Sequence, residues 1–315
     1  MDTEWLPIRQ RLSAHFMSSV VIKAALAVCL AAVAARAETV TVATYNVENY
    51  VTAGRMVDEH YRPAYPKPEA AKEAMRTVIR ALRADVLALQ EMGPGQYLEE
   101  LRRDLRAEGL DYPHAALAEA ADAERHVAVL SRLPFRRVET HAGLDFPYLG
   151  GREKVKRGLL EVVLETARGG VTLFVVHLKS RLTDRADDPE SARRRAGEAE
   201  AIRNFILQRF PDPAEARFLV VGDCNDAVGS KPVRLLMKRG GTVVATVLAA
   251  ADPHGDTWTY VHRRDGSYLR LDLILVSPGL WPAVAGGTGL VYDGPGVREA
   301  SDHRPVMVRL ELGKM

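Results

Sequence analysis

Six apolar runs in this chain end on or lead into acidic, imidazole or carboxamide side chains, and that recurrence constrains the fold more than any other feature. TVTVATY (residues 39–45) leads into Asn46, DVLALQ into Glu91, and TLFVV into His177. FLVVG stops at Asp223, followed by Cys224, Asn225 and Asp226. LRLDLILVS carries Asp272, and Ser301-Asp302-His303-Arg304 directly precedes PVMVRLEL. Apolar runs of this length and β-branched content read as buried strands. In layered α/β proteins, strand ends at one sheet edge converge on a shared cleft. The polar residues at the run ends are therefore candidates for one site.

Between these runs lie stretches with apolar residues at helical spacing, at 69–83, 96–108 and 191–210. Further β-rich runs occupy 127–131 and 159–166, and 51–68 reads as a loop rich in glycine, proline and charge. No repeat or low-complexity linker divides residues 38–315, so one α/β domain with mixed sheets is expected there. With 47% hydrophobic residues the chain has ample core material, and its fold does not depend on disulfides. Its two cysteines are Cys29 and Cys224, and no zinc-type Cys/His cluster is present.

The first 37 residues read as a signal peptide. A basic segment precedes an apolar stretch at 20–37 that ends in Ala35-Arg36-Ala37, the small-x-small pattern of a cleavage site. Met17 followed by SSVVIK makes a conventional signal start by itself. The stretch is shorter than the roughly 20 residues of a membrane span. Export to the periplasm or medium is the expectation, with cleavage before Glu38 and no stable membrane insertion afterwards. The formal net charge of +2 resides in this segment, in Arg9, Arg11, Lys23 and Arg36 against Asp2 and Glu4. The remainder is neutral, so no global field attracts a polyanion, and such a substrate would need local positive charge.

The strand-end residues suggest a reaction. Glu91, Asp223 and Asp302 are hard oxygen ligands suited to Mg2+, Mn2+ or Ca2+. His177, His303, Asn225 and Arg157 can donate to phosphoryl oxygens as negative charge accumulates. Together they describe metal-assisted attack of water on phosphorus. Ser180 and Ser301 flank histidines, but neither sits in a nucleophile-elbow pattern.

In order, TYNVENY, LALQE, KRGLL, VVHLKS, VGDCND, RLDLILVS and SDHRPV resemble the endonuclease/exonuclease/phosphatase family. That family includes pancreatic-type deoxyribonuclease, abasic-site endonucleases, inositol-polyphosphate phosphatases and bacterial sphingomyelinases. The resemblance runs from about residue 39 to 312 and implies a four-layer α/β/β/α sandwich. It implies that Glu91 is the principal metal ligand, with Asp302 also toward metal and Asn46 on metal or scissile phosphate. Arg157 falls where the family has a phosphate-contacting arginine, and His177 where it has a general acid or phosphate donor. Asp223 and Asn225 match the pair that orients water and stabilises pentacovalent phosphorus. His303 would face a phosphate oxygen, with Asp272 fixing and charging it. Many members pair the HLK-type histidine with an earlier glutamate, for which Glu124 is the nearest candidate. The usual GDFN is GDCN here, which places the Cys224 side chain toward the core.

A phosphodiesterase of the nuclease type is the first expectation for substrate, with nucleic acid among the phosphate esters it would take. A phosphomonoesterase or a lipid phosphodiesterase comes second. A membrane-active lipid hydrolase should carry an exposed apolar hairpin, and no run between the strands reads as one. A binding module that kept the fold and lost catalysis is countered by the intact Glu91, Asp223, Asn225, Asp302 and His303. No obligate protein partner is evident. The aromatic run Trp258-Thr259-Tyr260 reads as packed into the core, and the arginines between 181 and 195 read equally as a solvated charged face or as flanking the cleft in contact with substrate.

Overall fold

Alternation along the strands decides which residues face each other. The computed structural model describes residues 38–313, so the signal-peptide expectation falls outside the described residues. The chain begins with β1 (Glu38–Tyr50) and a hairpin of β2 (Ala53–Val57) and β3 (His60–Tyr65). Then come α1 (Glu69–Leu82), β4 (Val86–Met92), α2 (Gly95–Ala107), β5 (His114–Leu117) and β6 (His126–Ser131). The middle holds β7 (Phe135–Thr140), β8 (Asp145–Tyr148), β9 (Gly151–Lys154), β10 (Leu160–Leu164) and β11 (Val171–His177). A long helix α3 (Ala192–Arg209) is followed by β12 (Phe218–Asp223) and α4 (Lys231–Met237). Four two-residue strands follow, β13 (Lys238–Arg239), β14 (Thr242–Val243), β15 (Thr246–Val247) and β16 (Ala250–Ala251). The last part comprises β17 (Tyr260–His262), β18 (Ser267–Leu269), β19 (Asp272–Val276), β20 (Gly289–Val291), α5 (Val297–Ala300) and β21 (Val306–Leu312).

Two mixed sheets form, a seven-stranded one in the order β16-β20-β21-β1-β4-β6-β5 and a six-stranded one in the order β15-β19-β12-β11-β10-β7. Val40 and Val42 of β1, Val86 and Ala88 of β4, and Leu219 and Val221 of β12 meet in the core between the sheets. The alternate positions, Ala43, Tyr45, Leu87 and Leu89, pack against α1 and α2. Likewise Phe174, Val176, Phe218 and Val220 pack under α3 and α4. The period of two thus sorts each strand into two apolar faces, and the expected four-layer sandwich follows.

Gly222 illustrates how tightly β11 and β12 are joined. It pairs with Val176, has φ +141°, and a Cβ there would lie 1.9 Å from the Val176 carbonyl oxygen. No side chain fits that position without moving the strand that carries Asp223.

Two local expectations need correcting. Residues 51–68 are not all loop, since 53–65 fold back as the β2–β3 hairpin. Alternation is broken there by Arg55, Asp58, Glu59 and Arg62, which hides the strands from a pattern reading. This hairpin exposes Met56 and Tyr61, each 67%, and the β17–β18 hairpin exposes Tyr268, 59%. Apolar side chains are therefore displayed on hairpins, although among the described residues no hairpin is apolar throughout. Among the described residues no helix is long and apolar enough to cross a membrane.

Gly222→Ala is expected to destabilise the protein by about 2–4 kcal/mol, measured by urea unfolding. Gly229→Ala, where a Cβ meets nothing within 4 Å, should change stability by less than about 0.5 kcal/mol. Equal unfolding midpoints for the two variants would contradict the strand geometry.

Candidate active site

The inward face of the strands turns polar where they reach one edge of the sandwich. On β1 the sequence Val40, Val42, Thr44 continues to Asn46. On β11 Val171, Leu173, Val175 continues to His177, and on β12 Leu219, Val221 continues to Asp223. On β19, antiparallel to β12, Asp272 lies opposite Asp223. Asn46, His177, Asp223 and Asp272 are each at most 2% exposed. They end up together because they share one parity.

Glu91 is the exception. By parity with Leu87 and Leu89 it should point toward the helices. It takes the left-handed conformation instead, φ 61°, where the β1–β4 and β4–β6 registers both slip. That extra residue turns its side chain into the site and returns Met92 to the helix side. Glu48, Asn49 and Asn225 also have positive φ. Such strained non-glycine positions cost about 1–3 kcal/mol each and cluster at functional sites.

Asn46 ties the two sheets together. Its Nδ2 donates to Glu91 Oε1 (3.2 Å) and to Asp223 Oδ2 (3.0 Å), and its Oδ1 accepts the Glu48 N–H (3.0 Å). Asn46 thus clamps two carboxylates through its nitrogen while its oxygen accepts one backbone N–H. Asn49 N–H donates to Glu91 Oε2 (2.8 Å). Asp223 also accepts from the Asn225 backbone (2.7 Å) and side chain (3.2 Å). The Asn225 amide additionally donates to the Leu178 carbonyl (2.9 Å). Ser301 Oγ donates to the Asn46 carbonyl (2.8 Å), fixing the segment that carries Asp302 and His303.

His303 Nδ1 donates to Asp272 Oδ2 at 2.7 Å, and its Nε2 lies 3.9 Å from both Asp223 Oδ2 and Asp302 Oδ1. Burial alone would lower its pKa, but Asp272, then Asp223 and Asp302, hold it well above the ordinary value. His177 goes the opposite way. Burial, with Arg157, His303 and Arg125 nearby, holds it well below the ordinary value. Its Nε2 is 3.6 Å from Asp223 Oδ2 and 4.0 Å from Glu91 Oε1, while its buried Nδ1 has no partner. Burial and the neighbouring cations favour its neutral form, in which one ring nitrogen donates and the other accepts.

Three carboxylates crowd one wall. Burial pushes Asp223 up to about 7, against the pull of His303, with Asp272 and Glu91 adding to the rise. Burial also raises Asp302 to about 6, with Glu48 and Glu91 contributing. Glu91, Asp223, Asn225, Tyr260, Asp302 and His303 line a common cleft of about 490 Å³. Carboxylates gathered out of water and only partly offset by His303 are the environment that a divalent cation relieves.

The glutamate expected beside His177 is not there. Glu124 is exposed and pairs with Arg125 (2.8 Å), because the turn at 122–125 is pinned by backbone donors to Asp122 Oδ1. Asp122 instead accepts from Arg157 Nε (3.0 Å). Arg157 is buried, its Nη1 has no partner, and its charge is felt at His177. Its hydrogen-bond partner is thus Asp122 and not a cleft carboxylate. Sequence reasoning missed Glu48, whose Oε2 accepts the Asp302 N–H (3.2 Å) and whose carboxylate pairs with Arg263. The TYNVENY run contained it, but only the left-handed turn at 48–49 brings it back toward Asp302. Tyr260 is not core either, since its ring lies 4.8 Å from the His303 ring. Cys224 is fully buried in the helix-side core, as expected. A second ligand-type group, Glu139, His141 and Glu161, lies elsewhere, and Arg137 and Arg209 already neutralise its buried member Glu161.

Fold and cleft together define a two-sheet α/β protein with carboxylates and imidazoles gathered at one sheet edge. The chain belongs to the Endonuclease/Exonuclease/phosphatase family, hydrolases of phosphate esters, whose family model matches residues 43–303. No curated protein matches the sequence. Among solved structures it is similar to sphingomyelinase C from Streptomyces griseocarneus, with 18% identity over 87% of this chain and 99% of that one, TM-score 0.60. Beta toxin from Staphylococcus aureus with bound magnesium ions is 14% identical over 86% and 99%, TM-score 0.59. Truncated Caenorhabditis elegans TDP2 is 15% identical over 88% and 99%, TM-score 0.59. At these identities the likeness concerns the fold.

Asp272→Asn tests the imidazolium. Because His303 is held above the ~6.5 of a free histidine, its contribution to stability is complete below about pH 6.5 and fades as pH rises through the folded value. The variant should lose stability mainly on the acid side, and NMR should show its His303 pKa shifted down. An unchanged His303 titration would refute the pairing.

Proposed function

We propose that the protein is a divalent-metal-dependent phosphodiesterase of the nuclease type, in which water attacks phosphorus directly. The observation that carries this reading is the convergence of Glu91, Asp223, Asn225, Asp302 and His303 on one cleft. Glu91 and Asp302 would hold Mg2+, or Mn2+ or Ca2+, as hard oxygen donors. The bound cation would supply positive charge to the phosphoryl oxygens. Beta toxin's magnesium ions, on a similar fold, agree with that assignment.

Asp223 serves as the base for the attacking water. Three donors fix its orientation at the wall of the cleft, the geometric requirement of a general base. His303, kept charged by Asp272, donates through Nε2 to a phosphoryl oxygen as negative charge grows there. Asn225 narrows the position of the water, and Asn46 keeps Glu91 and Asp223 in register across the two sheets. Arg157, buried against Asp122, contributes positive charge behind His177. Tyr260 forms a face of the cleft on which a base or headgroup rests. Ser180 borders the same cleft, but its Oγ accepts from Lys179 Nζ (3.1 Å) and no base is placed to activate it. Export, with the mature chain starting at Glu38, belongs to the same proposal.

A second reading, a lipid phosphodiesterase, is favoured by the exposed Met56, Tyr61 and Tyr268. Arg55, Asp58, Glu59 and Arg62 interrupt the apolar surface of the first hairpin, so the nuclease-type reading is preferred.

Chelation with EDTA should abolish hydrolysis of bis-p-nitrophenyl phosphate, and added Mg2+ or Mn2+ should restore it. Glu91→Gln should raise the metal concentration needed for half-maximal rate by at least about tenfold, a loss of roughly 1.4 kcal/mol in metal binding. For a Kd on the order of 1 mM, 10 mM Mg2+ should raise the melting temperature by about 2–4 °C at pH 8. The shift should shrink at pH 5, where Asp223 and Asp302 are protonated. Full activity without metal, or a shift independent of pH, would contradict the proposal.

A further inference from the structure

The near-neutral chain needs a local source of positive charge to hold a polyanion, and one lies next to the cleft. A cavity of about 590 Å³ shares Leu182 with it and is lined by Lys154, Lys156, Lys179 and Arg194. Arg194 is spoken for, with Glu153 at 2.6 Å and Asp184 at 3.3 Å. The buried Glu198 spends its carboxylate on the backbone N–H groups of Lys156 (3.0 Å) and Lys179 (2.6 Å). That arrangement joins the two lysine-bearing segments without forming an ion pair with either ammonium. Lys179 Nζ is held by Ser180 O (3.2 Å), Ser180 Oγ (3.1 Å) and the Leu182 carbonyl. Neutral acceptors take its hydrogen bonds, and the nearby Glu198 carboxylate offsets only part of the positive charge gathered there. Burial, then Arg157, Lys156 and Arg194, lowers Lys179 to about 8, as expected where like charges gather. Lys154 and Lys156 are exposed and have no ion-pair partner among the described residues.

Placement links this cavity to the reaction. Lys179 follows His177 by two residues on the segment leaving β11, while Leu178 between them is in the opposite, helix-side core. Two extended residues span roughly 6.6 Å, on the scale of one nucleotide step along an extended strand.

Building on the phosphodiesterase reading, we propose that the cavity lined by Lys154, Lys156 and Lys179 is a second phosphate subsite. It holds the phosphate neighbouring the scissile one in a single nucleic-acid strand, with Leu182 as the ridge between the two sites. A phosphocholine-type lipid has only one phosphate and carries a cationic group that these ammonium groups would repel, so a strand is the better fit.

The test uses the double variant Lys154→Ala/Lys156→Ala, whose changes lie on exposed side chains. Fluorescence anisotropy with labelled oligothymidylate of twelve nucleotides, in EDTA, reads the subsite without turnover. The variant should bind about tenfold more weakly, with a shallower dependence on salt. With Mg2+, the ratio of kcat/KM on the oligonucleotide to that on bis-p-nitrophenyl phosphate should fall about tenfold. Equal binding by both proteins, an unchanged ratio, or a loss confined to sphingomyelin vesicles would overturn the subsite. Failure of the wild type to hydrolyse either diester while the binding difference persists would count against the phosphodiesterase reading alone.

Discussion

The site exists because one parity rule is obeyed on four strands and broken on a fifth. Alternation sends the apolar residues of β1, β11, β12 and β19 into the space between the sheets, and the same alternation carries Asn46, His177, Asp223 and Asp272 to the rim of that space. The fit of the two sheets in the middle of the sandwich therefore sets the distances at its edge. Glu91 obeys the opposite requirement, and only the left-handed residue at the end of β4 delivers its carboxylate to the cleft. Strain at that position is offset by two hydrogen bonds, from Asn46 Nδ2 and the Asn49 N–H.

Charge in the cleft is arranged by the same packing. Asp272 and His303 form a buried pair whose outer nitrogen points toward two further carboxylates. His177, a short distance away on β11, is held neutral by burial and neighbouring cations. Two imidazoles with opposite pKa shifts beside raised carboxylates give a site with a fixed donor, a neutral partner and bases that ionise close to neutral pH. Asp223 and Asp302 are held above the usual carboxylate range, so protons compete for the oxygens that would hold a cation, and metal binding would strengthen as pH rises.

Much of this was legible in the residues. Helices at 69–83 and 191–210 declared themselves through apolar spacing, and α1 and α3 occupy nearly the same residues. The strand-end polar groups were visible because apolar interiors and polar termini contrast sharply. Cys224 was readable as core because it lies between two cleft residues on an alternating segment. Orientation was not legible. Nothing in TYNVENY says that the Asn46 oxygen accepts the Glu48 N–H, or that a left-handed turn returns Glu48 to Asp302. The choice between Asp122 and Glu124 rested on a tight turn whose side-chain directions differ by one residue. The hairpin at 53–65 was concealed by charges at positions where alternation would require apolar side chains, and Tyr260 was taken for core because its two-sided environment leaves no one-dimensional signature.

The central claim is that water, activated at Asp223, attacks phosphorus without a covalent enzyme intermediate. Hydrolysis of a phosphorothioate diester of defined configuration in 18O-labelled water, followed by 31P NMR of the chiral product, tests it directly. Single in-line displacement predicts inversion of configuration at phosphorus. Net retention would require two displacements through a phosphorylated side chain and would contradict the account.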